Sequence, residues 1–173
     1  DHLLTNDTRW LHRRDCQYRW HNRSYGNFDD FLAQLTADRR KKIRQERKKL
    51  ALTGLSFVWR YGDVCDAALQ ERIYACYANT YWVRGQQPYL TPAFFAQIFV
   101  TLARSVQVLC VERDDELVAM ALYIAGSDTL YGRYWGALAD VPLLHFEACL
   151  YQGIERAIAG GYAVFDAGAQ GEH

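Results

Sequence analysis

The stretch that decides the fold is TLYGRYWGALADVPLLHFEACLYQGIERAIAGGYAVFD, residues 129–166. Its aromatic and glycine-rich beginning, residues 130–136, is typical of a strand that another backbone approaches closely. Pro142 predicts the first turn of a helix, because its missing N–H has no intrahelical partner there in any case. The pair Gly160–Gly161 predicts the end of that helix, and the following residues predict a second strand. The stretch is therefore a βαβ unit with two parallel strands.

A carboxylate interrupts the apolar face of this helix. With about 100° per residue, Glu147 falls within a stripe of apolar side chains. The stripe consists of Leu143, Phe146, Leu150, Ile154, Ala157 and Ile158. A buried, ionised carboxylate needs a cation or hydrogen bonds, and we predict Arg133 on the preceding strand as the partner of Glu147. Two interpretations are open: a structural ion pair, or a functional pair where strand ends and a helix N-terminus converge on a ligand.

Composition favours one core. The chain has 173 residues, half of them hydrophobic, which is enough for one sizeable core. It begins with Asp1, which predicts a fragment of a longer protein, and it contains neither a signal peptide nor an apolar run of roughly 18 residues. The cysteines are scattered without a C-x-x-C pair, so we expect reduced core residues of a cytoplasmic protein and no metal. They are Cys16, Cys65, Cys76, Cys110 and Cys149.

Charge is distributed unevenly along the chain. Residues 1–49 hold 13 of the 20 Lys and Arg but only 7 of the 20 Asp and Glu, which indicates an anionic partner on this side. Between residues 39 and 49 the basic side chains are especially dense. They are Arg39, Arg40, Lys41, Lys42, Arg44, Arg47, Lys48 and Lys49. Two interpretations stay open, a solvated helix face and a surface that binds phosphates, including those of RNA.

The remaining elements follow from caps, turns and periodicity. Asn27 predicts the N-cap of one long helix that runs from Phe28 to Gly54. A strand is predicted at Cys16–Arg23, and the elements after Gly54 continue in a regular order. They are a strand at Leu55–Tyr61, a helix at Asp66–Trp82, a helix that starts at Thr91-Pro92, and an antiparallel meander of Val106–Glu112, Leu117–Ala125 and the strand from Thr129.

Five stretches of the chain resemble one family. They are RRKKIRQERKKLALTG at 39–54, NTYWVRGQQPYLTPAFF at 79–95, DTLYGRYWG at 128–136, LHFEACLYQ at 144–152 and GAQGEH at 168–173. They are similar to bacterial FemAB-like proteins of peptidoglycan biosynthesis or recognition, a branch of the GNAT acyltransferase superfamily. The predicted element order from Leu55 is also that of the GNAT fold.

The resemblance implies an α+β fold and a division into lobes. A GNAT-like mixed sheet (β-α-α-β-β-β-α-β) would be preceded by the long basic helix and would lack its last strands, which the family pattern places after His173. Residues 1–26 would end a preceding lobe, residues 27–54 would form a basic connecting helix, and residues 55–173 would form the GNAT-like acyltransferase lobe, truncated at its C-terminal end.

The resemblance also implies acyl transfer to an amine, with the donor where two neighbouring strands separate. Such a reaction needs an oxyanion donor, a base and an acid for the leaving group. We expect Glu147 as the base and Tyr134 as the donor to the leaving group; a simply packed tyrosine is the alternative. The residues expected to bind substrate are Arg133, Trp135, Arg84, Gln87, Tyr89, Gln170, Glu172 and His173. For the GAQGEH end, a loop with a hydrogen-bonded carboxylate is the simpler interpretation.

The donor is predicted from the loop at 136–142. It contains one glycine, no basic residue and one acid, unlike the basic, glycine-rich loop that holds pyrophosphate in acetyl-CoA enzymes of this superfamily. Relatives of the peptidoglycan-bridge class take an aminoacyl group from tRNA, which the basic helix would suit. We therefore expect no tightly bound cofactor, a donor that is either acyl-CoA or aminoacyl-tRNA, and an acceptor amine on a peptidoglycan precursor or similar metabolite. The alternative is a noncatalytic GNAT-fold module that recognises peptidoglycan peptide or nucleic acid.

Overall fold

A single mixed sheet organises the part of the chain that the computed structural model describes, residues 17–168. Its strand order is β1-β6-β5-β4-β3-β2, and every pair is antiparallel except β5 and β6. The strands are β1 (Arg19–His21), β2 (Ser56–Tyr61), β3 (Val106–Arg113), β4 (Glu116–Ala125), β5 (Thr129–Ala137) and β6 (Val164–Asp166). The α+β class, the meander and the parallel βαβ unit are therefore confirmed.

The helices begin where polar caps stand in the sequence. Side chains of Asn27, Thr36, Asp66 and Thr91 each accept a hydrogen bond from the backbone N–H three residues later. The helical segments are α1 (Phe28–Ala33), α2 (Ala37–Ala51), α3 (Ala67–Trp82), α4 (Pro92–Thr101), α5 (Leu144–Phe146), a π-helical turn (Glu147–Tyr151) and α6 (Gln152–Ala159). Between residues 17 and 168 there is no helix with the length and apolar character needed to span a membrane.

The prediction of one long basic helix from Phe28 is wrong. The chain leaves the helical conformation between α1 and α2, where Thr36 accepts a hydrogen bond from the backbone N–H of Arg39. The guanidinium of Arg40 reaches back to the carbonyls of Leu32 and Leu35 at the end of α1. A threonine hydroxyl at an N-cap satisfies a backbone donor that a continuous helix would have bonded internally, so two helices form.

The helix after β5 is also interrupted. Leu143 has a left-handed backbone (φ 71°), so the helix starts at Leu144 and not at Pro142. A π-helical turn follows, which adds one residue to a helical turn and changes the side-chain direction beyond it. The buried Tyr123 hydroxyl of β4 donates to the Ala148 carbonyl within this turn. The predicted end is confirmed, because α6 stops at Ala159 and Gly161 is left-handed (φ 69°).

Helices cover both faces of the sheet. One face of β3 and β4 packs through side chains such as Leu109 and Ala121 against α1, α2 and the helical segments between residues 144 and 159. The opposite face packs through side chains such as Val108 and Leu122 against α3 and α4. Because alternate residues of β3 and β4 point to opposite layers, these two strands read as almost continuous apolar runs.

The N-terminal strand belongs to the same sheet as β6. Arg19–His21 pairs with Val164–Asp166, and the Arg19 guanidinium contacts the Asp166 carboxylate at 3.3 Å. The observed strand is shorter than the predicted Cys16–Arg23, and Cys16 lies outside the described residues. The assignment of residues 1–26 to a preceding lobe stays a prediction, as do the other lobe boundaries.

A glycine sets the closest approach of α3 to β5. A Cβ atom on Gly136 would overlap the Cys76 carbonyl and lie 2.6 Å from the Tyr77 nitrogen. We therefore expect Gly136→Ala to lower the free energy of unfolding in urea by about 2 kcal/mol. Gly132→Ala is the matched control on the same strand, because its nearest contact would be an ordinary 3.5 Å. Equal stability of the two variants would contradict this packing.

Candidate active site

The pairing of β5 with β6 ends early. Three residue pairs are in register, the last being Tyr131 with Asp166. The last described residues after β6, Ala167 and Gly168 (φ 87°), are not paired with β5 and line a cavity beside it. Within residues 17–168, no other strand pairs with this edge of β5. The sheet therefore opens between two parallel strands from Gly132 onward.

A β-bulge lies at this opening. On the other side of β5, Tyr123 pairs with Gly132 and Leu122 pairs with Tyr134, so Arg133 is the extra residue. A bulge increases the local twist and changes the direction in which neighbouring side chains point, and bulges are frequent beside active sites. The segment Arg133–Trp135 is thus placed at the opening by the register of β4 and β5.

Helix α3 holds the far end of β5. Thr80 Oγ1 donates to the Trp135 carbonyl at 3.2 Å, and Asn79 Nδ2 donates to the Ala137 carbonyl at 2.7 Å. These bonds provide partners for two carbonyls of β5 on the edge where no described strand pairs with it, and buried backbone groups need such partners. The position of β5 at the opening is therefore fixed from the α3 side.

Two cavities meet at the bulge. The smaller one, about 110 Å³, lies in the opening of the sheet, and the larger one, about 560 Å³, lies between β5, α3 and the loop after α3. Both are lined by Arg133, Tyr134 and Trp135. The smaller cavity is further lined by Ala121, Leu122, Tyr123, Gly132, Cys149, Ala167 and Gly168, and the larger one by Tyr77, Thr80, Tyr81, Arg84, Tyr89 and His145. A group in one cavity is thus separated from the other cavity only by this short segment of β5.

Tyrosines form the wall of the larger cavity. The ring of Tyr77 lies 5.2 Å from that of Tyr81 and 5.5 Å from that of Tyr134, and the rings of Tyr81 and Tyr89 are 5.7 Å apart. The Tyr77 hydroxyl accepts a hydrogen bond from the Leu90 N–H at 3.2 Å, which ties the loop after α3 to this wall. Aromatic rings at these distances and angles pack favourably, so the wall is rigid.

The hydroxyls of Tyr77 and Tyr134 keep their protons at neutral pH. Burial, and next a hydrogen bond with Tyr89, raise the pKa of Tyr134 to about 12. Burial also raises the pKa of Tyr77 above its ordinary value, with a smaller contribution from a hydrogen bond with Tyr81. Desolvation acts in this direction because it disfavours the charged phenolate. The cavity therefore offers hydroxyl donors.

The structure brings five predicted site residues to this cavity: Arg84, Tyr89, Arg133, Tyr134 and Trp135. The predicted Gln87 is exposed and is not among the lining residues. The predicted Gln170, Glu172 and His173 lie outside the described residues.

Glu147 is buried as predicted, but its predicted partner is wrong. The carboxylate, 4 % exposed, is bound by Arg47 of α2, whose Nε donates to both oxygens at 3.1 Å and whose Nη2 donates to Oε1 at 2.8 Å. Arg133 instead is exposed, donates to its neighbouring Gly132 carbonyl at 2.9 Å and lies over the Tyr131 ring. Arg133 thus lines the two cavities, whereas Glu147 lines neither.

The Glu147 ion pair belongs to a larger network. Gln152 Nε2 donates to Glu147 Oε1 at 2.8 Å, and Arg47 Nη2 also donates to Glu155 Oε2 at 2.7 Å. Glu147 lines neither of the two cavities. This geometry favours the structural ion pair over the general base, because every oxygen of the carboxylate is already bound to a donor.

The basic side chains of α2 divide into two groups. Arg40, Lys42, Arg44 and Arg47 contact carbonyls or carboxylates of the protein. Within residues 17–168, the exposed basic side chains of α2 that form no such contact are Arg39, Lys41, Lys48 and Lys49. Lys41 and Lys48 border a shallow groove of about 280 Å³. These four side chains are the part of the predicted anion-binding surface that is exposed and not already engaged by the described protein.

The remaining candidate groups at this site are a cysteine thiol and possible metal ligands. Cys149 lines the smaller cavity, where burial raises the pKa of its thiol to about 12, so the thiol is protonated at neutral pH. Among the residues that the structure describes, no three His, Cys, Asp or Glu side chains are grouped as a metal site would require.

Sequence analysis did not single out several residues of the larger cavity, among them Thr80, Tyr81 and His145. Tyr81 follows Tyr77 by four residues on the same face of α3, a spacing that could have identified it. His145 is half-buried, and its ring lies 5.4 Å from that of Trp135. The left-handed start at Leu143 shifts the helix and brings His145 to the cavity.

The Arg47–Glu147 pair should contribute to stability. We expect Arg47→Met and Glu147→Gln each to lower the free energy of unfolding by about 2 kcal/mol, because each leaves a buried group without its partner. In a double-mutant cycle the combined loss should be smaller than the sum. Arg44→Met is the control, since the exposed Arg44–Asp29 pair should be worth about 1 kcal/mol or less. A loss for Arg47→Met no larger than that for Arg44→Met would refute the structural assignment.

Comparison with known proteins supports both fold and family. The C-terminal domain of a protein named as a lysylphosphatidylglycerol synthetase, from Agrobacterium fabrum, shares the fold with a TM-score of 0.59 and 14% identity over 85% of this chain and 46% of that one. L-PGS from Bacillus licheniformis does so with a TM-score of 0.57 and 10% identity over 78% of this chain and 42% of that one. The chain thus spans less than half the length of either structure.

At the level of sequence, no curated protein matches the chain. A family model does match, and it covers residues 1–173. The protein therefore belongs to the FemAB-like family, which is described as peptidoglycan biosynthesis/recognition.

Proposed function

We propose that the protein transfers an aminoacyl or other acyl group to an amine of a peptidoglycan precursor or similar small metabolite. The observation that carries this proposal is the position of Arg133, Tyr134 and Trp135 between two cavities. Two substrates that occupy these cavities meet at one short, rigid segment of backbone. Membership of the FemAB-like family and the fold shared with a protein named as a lysylphosphatidylglycerol synthetase support aminoacyl transfer.

The proposal includes a GNAT-like arrangement of the sheet. An antiparallel meander, a bulge in β5 and an opening between β5 and β6 are the features expected for that superfamily. The donor carbonyl then lies in the opening, with its acyl end in the smaller cavity. The acceptor amine approaches from the larger, tyrosine-lined cavity.

The chemistry follows from the groups at the bulge. The amine nitrogen attacks the donor carbonyl, a C–N bond forms, and the C–O bond to the leaving group breaks. Backbone N–H groups of the bulge segment stabilise the oxyanion, and the protonated Tyr134 hydroxyl donates to the departing oxygen. His145, which lines the acceptor cavity, accepts the amine proton; we assign it this role in place of Glu147.

The donor is an aminoacyl-tRNA in this proposal. The loop at 136–142 has no basic residue for the pyrophosphate of coenzyme A, whereas α2 exposes Arg39, Lys41, Lys48 and Lys49 to phosphates. The protein then needs no tightly bound cofactor, and the reaction takes place in the cytoplasm, where charged tRNA is available.

A noncatalytic binding module is the second candidate. It is favoured by one observation, the engagement of the predicted base Glu147 in an ion pair outside both cavities. The transfer assay separates the two candidates. The full-length protein is incubated with charged tRNA or acyl-CoA and a broad panel of amines. If neither donor class gives transfer, the result excludes the transferase and favours the noncatalytic binding module.

Tyr134 should be needed for turnover. We expect Tyr134→Phe to lower kcat by about a hundredfold, because a general acid typically contributes that much or more. The loss should be constant from pH 7 to about 10, since the raised pKa of about 12 keeps the wild-type hydroxyl protonated there. The matched control is Tyr162→Phe, whose hydroxyl contacts Gln107 outside the cavity. Unchanged kcat in Tyr134→Phe would exclude this role.

The exposed face of α2 should bind RNA. We expect the affinity for tRNA to fall steeply between 50 and 200 mM salt, as for any ligand bound through phosphate contacts (about 10-fold or more). The double variant Lys41→Gln/Lys48→Gln should bind more weakly and show a smaller salt slope. Asp29→Asn on the neighbouring helix is a control for nonspecific effects of charge, and it should not weaken binding. Salt-independent binding, measured by fluorescence anisotropy, would remove tRNA from the proposal.

A further inference from the structure

The two arginines that line the larger cavity, Arg84 and Arg133, differ from most other described arginines in their lack of a carboxylate partner among the described residues. Six others contact carboxylates: Arg19, Arg44, Arg47, Arg60, Arg72 and Arg104. Within the described part of the chain, neither Arg84 nor Arg133 lies in a salt bridge with an Asp or Glu side chain. Among the described residues that line the cavity, none is an acid. The cavity therefore carries a positive charge that the described protein does not neutralise.

The two guanidinium groups are nevertheless held in place. Arg84 Nη1 donates to the Thr80 carbonyl at 3.1 Å, one turn back in α3. Arg133 Nη1 donates to the Gly132 carbonyl, and its guanidinium lies 4.7 Å from the centre of the Tyr131 ring. Toward the described residues, each guanidinium uses one of its five N–H donors on a backbone carbonyl, which leaves donors for a ligand.

The rest of the cavity wall is aromatic and donates hydrogen bonds. Tyr81, Tyr89 and Trp135 supply flat apolar surface, while the hydroxyls of Tyr77 and Tyr134 stay protonated. Arginine forks and hydroxyl donors together match a group with several acceptor oxygens, and guanidinium binds carboxylate and phosphate in two-point contacts. An unsaturated or ring-bearing part next to the anion would lie on the aromatic surface.

We infer that the larger cavity selects an anionic substrate, whose carboxylate or phosphate is bound by Arg84 and Arg133. This inference rests on the proposed function only where it names that ligand as the acceptor. The positive charge of Arg84 and Arg133 lies on the acceptor side of β5. The cavity would therefore prefer acceptor molecules that carry an acidic group near the reacting amine. Arg84 and Arg133 are then determinants of specificity and do not take part in the chemical step.

Binding of three small probes tests the inference without any donor. Benzoate, phenyl phosphate and neutral benzamide share one ring and differ in the group attached to it. Their Kd values are measured by NMR titration of the full-length protein, in wild type and in Arg84→Gln, Arg133→Gln and the double variant. Arg104→Gln is the matched control, since Arg104 contacts Asp63 at the surface and does not line the cavity.

We expect one of the anions to bind at least about tenfold more tightly than benzamide, because charge-assisted hydrogen bonds exceed neutral ones by that margin. Benzoate and phenyl phosphate distinguish a carboxylate site from a phosphate site. Each single variant should weaken anion binding about fivefold or more and leave benzamide binding unchanged. Circular dichroism confirms that these exposed substitutions leave the fold intact.

Two results would overturn the inference: equal binding of anion and benzamide, or anion binding that Arg84→Gln and Arg133→Gln reduce no more than Arg104→Gln does. Failure of the transfer assay would not affect this result, since no donor is present. Conversely, loss of anion selectivity would leave acyl transfer to a neutral acceptor intact, so the two proposals fail separately.

Discussion

The parallel pairing of β5 with β6 extends over three residue pairs and then stops, and most of the candidate site depends on that stop. Had β6 continued beside β5, ladder hydrogen bonds would occupy the edge from Gly132 onward and leave no room for a ligand. The backbone of Gly132 and Gly168 lies close together at the point of separation. From there the bulge at Arg133 determines which side chains face the opening. The short strand β6 thus leaves space for the smaller cavity, and the register shift places Arg133 where it lines both cavities.

The buried ion pair and the tyrosine wall of the larger cavity lie on opposite faces of the sheet. Arg47 joins α2 to the π-helical turn and α6 through Glu147 and Glu155, on the face that packs α1 and α2. The tyrosine wall lies on the other face, with α3. Because the ion pair fixes the turn that carries Cys149 to the smaller cavity, α2 stabilises the site without contributing a group to it. The same helix exposes its remaining cations to solvent.

The groups that line the larger cavity are the basis of our inference that it binds an anion. The phenols of Tyr77 and Tyr134 keep their protons, two arginines lie beside them, and none of the described lining residues is an acid. A transferase acting on an amine needs that nitrogen unprotonated, and a positive cavity favours the neutral amine over the ammonium ion. The charge that we propose to select the acceptor would therefore also help to activate it.

Sequence alone determined the local elements. Asn27, Asp66 and Thr91 mark helix starts, the apolar runs separated by turns within residues 106–137 mark the meander, and the interval between β5 and β6 requires a parallel crossover. It also identified Glu147 as buried, because a carboxylate within an apolar stripe has few other places to lie.

Only the tertiary structure decided which groups meet. Glu147 pairs with Arg47, 100 residues away in sequence, and not with the nearby Arg133, since a bulge and a left-handed residue rotate the local segments in ways that periodicity cannot express. Tyr77, Tyr81 and His145 become one wall for the same reason. Sequence spacing fixes the direction of a side chain relative to its own helix or strand, whereas the partner across the core depends on how those elements pack.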